Sequence, residues 1–425
     1  MTQPATAPVA NARAALWVLL AGVSVALHVG KLPPAIPLLR DQLGVSLVQA
    51  GFLLSLVQLA GMALGLAAGL LADGWGLRRT LLSGLCLLGC ASAAGAFATS
   101  AEALMVLRAF EGAGLLMAVM PAPGLIRRNV PPQRIAVMLG WWGTYMPMGS
   151  SLALLAGPTV IALAGWAAWW VLLAACTLAM AGVVWRQVPA DPATQPVGSA
   201  QMASASSAPA VASAASARAW VERLRVTLSS RGPWLAALSF AVYSGQWLAV
   251  IGFLPSILAQ GEFSVAATGL LSAAAAAVNM LGNAMSGRLL TAGWTAMRCL
   301  WGGFAAMALG SVLAFAPLGQ DAGLRYAGVL LFSSVGGLIP GTLFALSVRL
   351  APSEQTVSTT VGLMQQLSAL GQFLGPPLVA TVASMAGGWH QTWVLTGACS
   401  IAGAVLAWMM ARTLRAVPAS VARRP

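Results

Sequence analysis

Four ionisable residues interrupt stretches that are otherwise apolar, and their spacing sets them in pairs. His28 and Lys31 are three apart, as are Arg108 and Glu111, and residues three apart share one face of an α-helix. A charge in an apolar surrounding is costly unless it is paired or protonated, so such positions mark ion pathways or substrate sites. Lys31 is the only lysine in the chain; its ammonium would bind a carboxylate or a small inorganic anion. Glu111 is the candidate for carrying a coupled proton. Two simpler readings stand beside these. Lys31 can run its long stem to the surface, and Glu111 can form a local pair with Arg108 that only fixes one helix against another.

Uncharged polar or amphipathic groups fall in the same kind of stretch. They are Tyr145, then Tyr243, Gln246 and Trp247, then Asn279 and Asn283 one turn apart, then Gln365, Gln366 and Gln372. Each can line a binding cavity or serve as interhelical hydrogen-bonding glue. Met117, Met120, Met146 and Met148 could form a thioether site for Cu(I), although methionine is also common packing material. The five cysteines all lie in apolar runs without a C-x-x-C pair. They read as small packing residues, and no metal site is expected.

These groups must be positioned by membrane-spanning helices. The 425 residues are 59% hydrophobic and 7% charged, against about a quarter charged in a soluble domain. Nucleic acid is excluded as a partner despite the net charge of +13, because the arginines are dispersed in short loops and form no basic face. The first apolar run is long enough to span and lacks a cleavage pattern, so it reads as a retained helix. Apolar runs of about 20 residues predict helices at 15–38, 47–72, 79–98, 102–124, 135–161 and 167–186. A second set follows at 233–258, 266–289, 297–316, 325–348, 356–383 and 390–412.

The organisation expected is a six-helix bundle over 1–187, a linker over 188–230 and a second bundle over 231–425. The linker is rich in Ala, Ser and Pro, with an amphipathic helix expected at 218–231. With the N-terminus inside, the outer loops receive only Arg40 and Arg325, so both termini are expected in the cytoplasm. Gly157-Pro158 recurs as Gly375-Pro376, and the run from Gly69 recurs loosely from Gly287, both 218 residues on. Gly165-Trp166 recurs as Gly388-Trp389. A duplicated six-helix unit accounts for these matches.

The turn between the second and third spans reads G-x-L-A-D-G-W-G-x-R-R from Gly69 to Arg79. Gly69, Gly74 and Gly76 let the backbone leave one helix and enter the next, and Asp73 can pair with Arg78 or Arg79 at the membrane edge. A tight hairpin holding basic residues in place is the simpler account. The run resembles the loop between helices 2 and 3 of major facilitator superfamily transporters, and the resemblance implies a conformational latch made of Gly69, Asp73, Gly76, Arg78 and Arg79. Arg108 to Gly114 resembles the R-x-x-Q-G-x-G signature of the same superfamily, with Glu111 where Gln is usual. The resemblance also implies that helices 1, 5, 7, 8 and 11 line a central cavity.

Two further comparisons bear on the cargo. From Gly140 the run G-x8-G reaches Gly149, but Gly157-Pro158 comes later than the antiporter signature of drug exporters places it. Ala118 to Pro121 with Ile126-Arg127-Arg128, Val137 to Trp141, and Pro34 to Arg40 are instead similar to the cyanate and nitroimidazole permease family, without that family's arginine early in helix 1.

The expected protein is all-α, with twelve transmembrane helices in two pseudo-symmetric six-helix bundles. It is read as a secondary active transporter of the inner membrane and as a monomer, with no enzymatic activity and no cofactor. The cargo expected is a small organic or inorganic anion, taken up with protons. Lys31, His28, Arg108, Tyr145, Tyr243, Gln246, Asn279 and Gln365 are the expected binding residues, and Glu111 the proton site. Proton-driven export of a drug or metabolite is the alternative; copper import and a receptor that moves no solute are weaker ones. No Walker sequence is present to use ATP.

Overall fold

The computed structural model of the protein describes residues 12–191, 220–260, 263–317 and 321–416, and for 12, 67–74, 136 and 416 the backbone alone. No strand occurs among the described residues, which form a succession of long helices. In the first half α1 is Ala12–Gly30, continued past a break by Pro33–Ala35 and Ile36–Leu43. Next come α2 (Leu47–Ser55, Leu56–Gln58 and Leu59–Trp75), α3 (Leu77–Gly95) and α4 (Ala101–Val119 and Ala122–Asn129). Helices α5 and α6 occupy Pro132–Trp142 and Tyr145–Gln187. The second half has α7 (Arg231–Ala259), α8 (Val265–Thr291), α9 (Ala296–Phe315), α10 (Ala322–Gly336 and Leu338–Leu350), α11 (Val357–Ala386) and α12 (Thr392–Ala416).

Ten of these stretches are long and apolar enough to cross a membrane. One of them, Pro132–Gln187, runs 56 residues, which as a straight helix would be about 84 Å, far beyond a hydrocarbon core of about 30 Å. It turns back at Gly165, whose φ of 81° lies outside the helical region and is open to glycine at little cost. That separates α5 from α6. Leu77–Gly95 completes the set of twelve; it opens on Arg78 and Arg79 and is 19 residues long. An even number of crossings returns residues 12 and 416 to one end of the molecule, called here the terminal end. The opposite end is the far end.

Water cannot drive helices together inside a bilayer, so close approach of small residues does so. Both halves use the same scheme. A Cβ on Gly149 of α5 would strike Ala26 and the Val23 carbonyl of α1, and one on Gly371 of α11 would strike Ala241 of α7. Gly84 and Gly114 press α3 against α4, while Gly310 and Gly328 press α9 against α10. The repeat legible in sequence at Gly157 and Gly375 is this packing: Gly157 lies against Pro34 of α1, and Gly375 against Gly245 of α7.

The halves join at the far end. Leu32, Ile36 and Leu39 of α1 and Leu54 of α2 share one buried cluster with Ala249 and Phe253 of α7 and Val379 of α11. Gly51 of α2 sits on Pro376 and Pro377 of α11, and Gly269 of α8 on the Leu155 carbonyl and Pro158 of α5. The α2–α11 seam continues toward the terminal end through polar contacts. Gln58 donates to Gln372 Oε1 at 3.0 Å. Gln366 donates to the Met62 carbonyl and accepts from the Leu66 amide, the two groups that one helical rung would otherwise pair.

Helix α2 runs on to Trp75, so the turn into α3 is Gly76 alone. Most of the expected linker, 192–219, lies outside the described residues. Residues 220–229 are helical with Thr227 fully buried, where the amphipathic segment was expected.

Candidate functional site

Two consecutive prolines break α1. Pro33 and Pro34 have no N–H to donate, so the helix stops at Gly30 and resumes as a 3-10 turn. The break leaves carbonyls without helical partners, and side chains of neighbouring helices take them. Arg108 Nη1 donates to the His28 carbonyl at 2.9 Å, and Trp169 Nε1 to the Lys31 carbonyl at 3.1 Å. Arg108 Nε reaches the Leu53 carbonyl of α2 at 3.1 Å, three residues before the 3-10 turn Leu56–Gln58.

Lys31 stands at this break and points into the first bundle. It is fully buried, so the surface-seeking reading is wrong. Its ammonium donates to Glu111 Oε1 at 2.5 Å, Ser92 Oγ at 2.8 Å and His28 Nδ1 at 3.3 Å, which uses all three of its protons. It also lies 4.6 Å from the centre of the Trp170 ring. Because lysine only donates, His28 Nδ1 accepts. The imidazole is then the neutral Nε2–H tautomer, donating to Thr177 Oγ1 at 2.8 Å.

Glu111 spends its other oxygen on Arg108 Nη1, also at 2.5 Å. The carboxylate thus bridges Lys31 and Arg108, which are fully buried, while Glu111 is 1% exposed. The local Arg108–Glu111 pair exists, as the simpler reading held, but it is half of a larger constellation drawn from α1, α2, α3, α4 and α6. Counted by the formal charges of the side chains, two cations face one anion, a surplus of one positive charge. Arg108 Nη2 is buried without a partner.

The second bundle holds a neutral network. Asn279 Nδ2 donates to the Tyr243 hydroxyl at 2.9 Å and to the Ser333 carbonyl at 2.8 Å. Trp247 Nε1 donates to Ser333 Oγ at 3.0 Å, and Asn283 Nδ2 to Asn279 Oδ1 at 3.3 Å. Gln246 turns instead to Ser400 of α12. Tyr145 stacks on Trp142 with ring centres 4.3 Å apart. Gln365 is exposed and stands away from both clusters, whereas its neighbour Gln366 bridges the halves.

A third constellation holds the α2–α3 turn. Gly76 is the N-cap of α3, with φ 105° and no side chain to cap with. Asp191, just beyond α6, does it from outside. It accepts from the Arg78 and Arg79 amides at 3.0 and 3.1 Å, the second and third helical positions that an N-cap side chain normally serves. A Cβ on Gly76 would lie 2.6 Å from Asp191 Oδ2, so only glycine leaves room for this cap. Arg128 of α4 pairs with the same carboxylate at 2.9 Å. Burial alone would raise the Asp191 carboxyl, but the two amides and the Arg128 guanidinium outweigh it and hold it below the usual carboxylate range. Gly69 is described by its backbone alone, and the side chain of Asp73 lies outside the described residues.

The sequence brought forward His28, Lys31, Arg108 and Glu111 but missed Ser92, Trp170, Thr177 and Asp191. One signal was available for the cluster. A single carboxylate inside the apolar spans, with two cations at similar depth, must be shared between them.

The sequence profile of the Major Facilitator Superfamily matches residues 18–376. No curated protein matches the sequence. Among solved structures, the chain is similar to a bacterial homolog of the human lysosomal transporter Spinster in an inward-facing, occupied conformation, with a TM-score of 0.77 and 15% identity over 95% of this chain and 97% of that one. The inward-facing, unoccupied conformation gives a TM-score of 0.72 and 16% identity over the same shares. The likeness is one of fold.

Proposed function

The chain belongs to the Major Facilitator Superfamily, and from that premise we propose that it takes up a small organic or inorganic anion together with protons. The transporter is read as working by alternating access as a monomer in a bacterial-type inner membrane, with both termini in the cytoplasm as the arginine bias predicts. The observation that carries the proposal is the buried triad in which Glu111 bridges Lys31 and Arg108.

A proton on Glu111 would release two cations, and an anion is the natural replacement for the carboxylate they lose. The charge balance then favours symport. Empty, the cluster carries one surplus positive charge. Loaded with one proton and one monovalent anion it carries the same charge. Either half-loaded form differs by a full unit in a medium where charge is costly. Lys31 and Arg108 act as the anion ligands, with the partnerless Arg108 Nη2 as the donor held ready. His28 orients Lys31 through their shared hydrogen bond. Tyr145, Tyr243 and Asn279 complete the proposed lining, whereas Gln246 is engaged by Ser400 and exposed Gln365 stands apart from it.

Proton-driven export of a drug or metabolite is the second reading. It is favoured by the neutral character of the Tyr243–Asn279–Ser333 network and by the complete burial of the charges.

Uptake of labelled small anions into proteoliposomes, with and without an inward proton gradient, separates the two. Gradient-driven uptake abolished in Lys31→Ala and uncoupled from the gradient in Glu111→Gln is the expected result. Absence of uptake for every anion, or wild-type behaviour of both variants, would leave export as the surviving reading.

A further inference from the structure

Each half has a cleft at its terminal end between its first and last helix, and the two clefts are built differently. The one between α1 and α6 is about 360 Å³ and is lined by Trp17, Arg186 and Gln187 with small apolar residues. Its counterpart between α7 and α12 is about 490 Å³ and presents Arg231, Trp234, Trp408, Met409 and Arg412, with Ser229 at its mouth. Arg412 lies over the Trp408 ring, 3.7 Å from its centre. Trp234 is fixed by donating Nε1 to the Leu228 carbonyl at 2.8 Å. This ties α7 to the amphipathic segment 220–229. We propose that the α7–α12 cleft is a binding site for an anionic phospholipid of the leaflet at the terminal end, with Arg231 and Arg412 holding its phosphate.

Charge and position both select that ligand. Neither arginine is paired with a carboxylate among the described residues. The chain segments that flank these elements in sequence, 192–219 and 417–425, contain no Asp or Glu. Trp234 in the first turn of α7 and Trp408 about two turns before the end of α12 mark the zone where headgroups meet hydrocarbon, and basic pockets between helices in that zone suit phosphate headgroups. The apolar wall of Trp234, Trp408 and Met409 offers a surface to the acyl chains that a free phosphate ion does not need. The α1–α6 cleft, with one arginine, is an internal control.

The test is native mass spectrometry of the full chain in detergent, titrated with phosphatidylglycerol, phosphatidylcholine or inorganic phosphate. Each basic residue near the surface contributes about fivefold in affinity for an anionic lipid. Phosphatidylglycerol is therefore expected to bind about thirtyfold more weakly to the Arg231→Gln/Arg412→Gln double variant. The Arg231→Lys/Arg412→Lys variant should recover most of that loss, and Arg186→Gln should change it little. Equal retention of phosphatidylglycerol by wild type and the double glutamine variant would overturn the site, as would equal retention of phosphatidylcholine by the wild type. Displacement of the lipid by inorganic phosphate alone would overturn its assignment to lipid.

Discussion

Glu111 holds its cluster together because both of its oxygens are taken by cations. Removing its charge leaves two buried cations facing each other, and breaking a buried pair in this way costs about 3–5 kcal/mol. Removing Lys31 is a smaller injury. Glu111 keeps Arg108 through its other oxygen and the surplus charge disappears, so the loss is that of two unsatisfied acceptors, Glu111 Oε1 and His28 Nδ1, at about 1–3 kcal/mol each. Thermal unfolding in detergent should therefore rank Glu111→Gln as less stable than Lys31→Met; the reverse order would mean that Glu111 is not the bridge. The helical spacing rule found both halves of this cluster, since His28–Lys31 and Arg108–Glu111 are each three apart. It could not join them. Lys31 and Glu111 are 80 residues apart in sequence, and they meet because Pro33 and Pro34 end the helix where the lysine stands. Ser92 and Thr177 had no signal at all, being ordinary small polar residues until something points at them.

At the scale of elements, a helix start is capped by a residue from elsewhere in the chain. Asp73 was expected to pair with Arg78 or Arg79 at the membrane edge, and its side chain lies outside the described residues. The carboxylate found on their amides is Asp191, 113 residues from Arg78. Gly76 is the reason, since a glycine N-cap has no side chain to offer and its missing Cβ is where Asp191 enters. The carboxyl is held below its ordinary value in the folded state. A depressed carboxylate contributes stability that is fully present above its unfolded pKa of about 3.9 and is lost as pH falls through the folded value. Asp191→Asn keeps a capping oxygen but loses the charge that faces the helix start and pairs with Arg128, and should thus lower stability by about 0.5–1 kcal/mol at neutral pH. The gap to wild type should close as melting curves are taken from pH 5 down through pH 3. A gap that stays constant over that range would show that the cap does not depend on the charge.

For the molecule as a whole, the apolar runs and the glycine repeat made twelve helices in two similar halves legible, because hydropathy and span length are properties of local sequence. How the halves meet was not legible. Contacts such as Leu54 with Gly252 join residues nearly two hundred positions apart and belong to one conformation of a moving pair. In this structure the far end is sealed by the cluster around Leu32, Leu54, Phe253 and Val379, so a transporter that alternates must part those residues in every cycle. A covalent bridge there would stop it. A Cβ on Gly252 would lie 3.1 Å from Leu54 Cδ1, and removing the leucine side chain makes room for a cysteine opposite. In a parent whose five native cysteines are replaced by alanine, oxidised Leu54→Cys/Gly252→Cys should lose gradient-driven uptake by more than about tenfold, and a reductant should restore it. The two single variants, treated alike, should transport like the parent. Full transport by the cross-linked double variant would mean that the two halves need not separate at this seam, and alternating access would have to open the far end elsewhere.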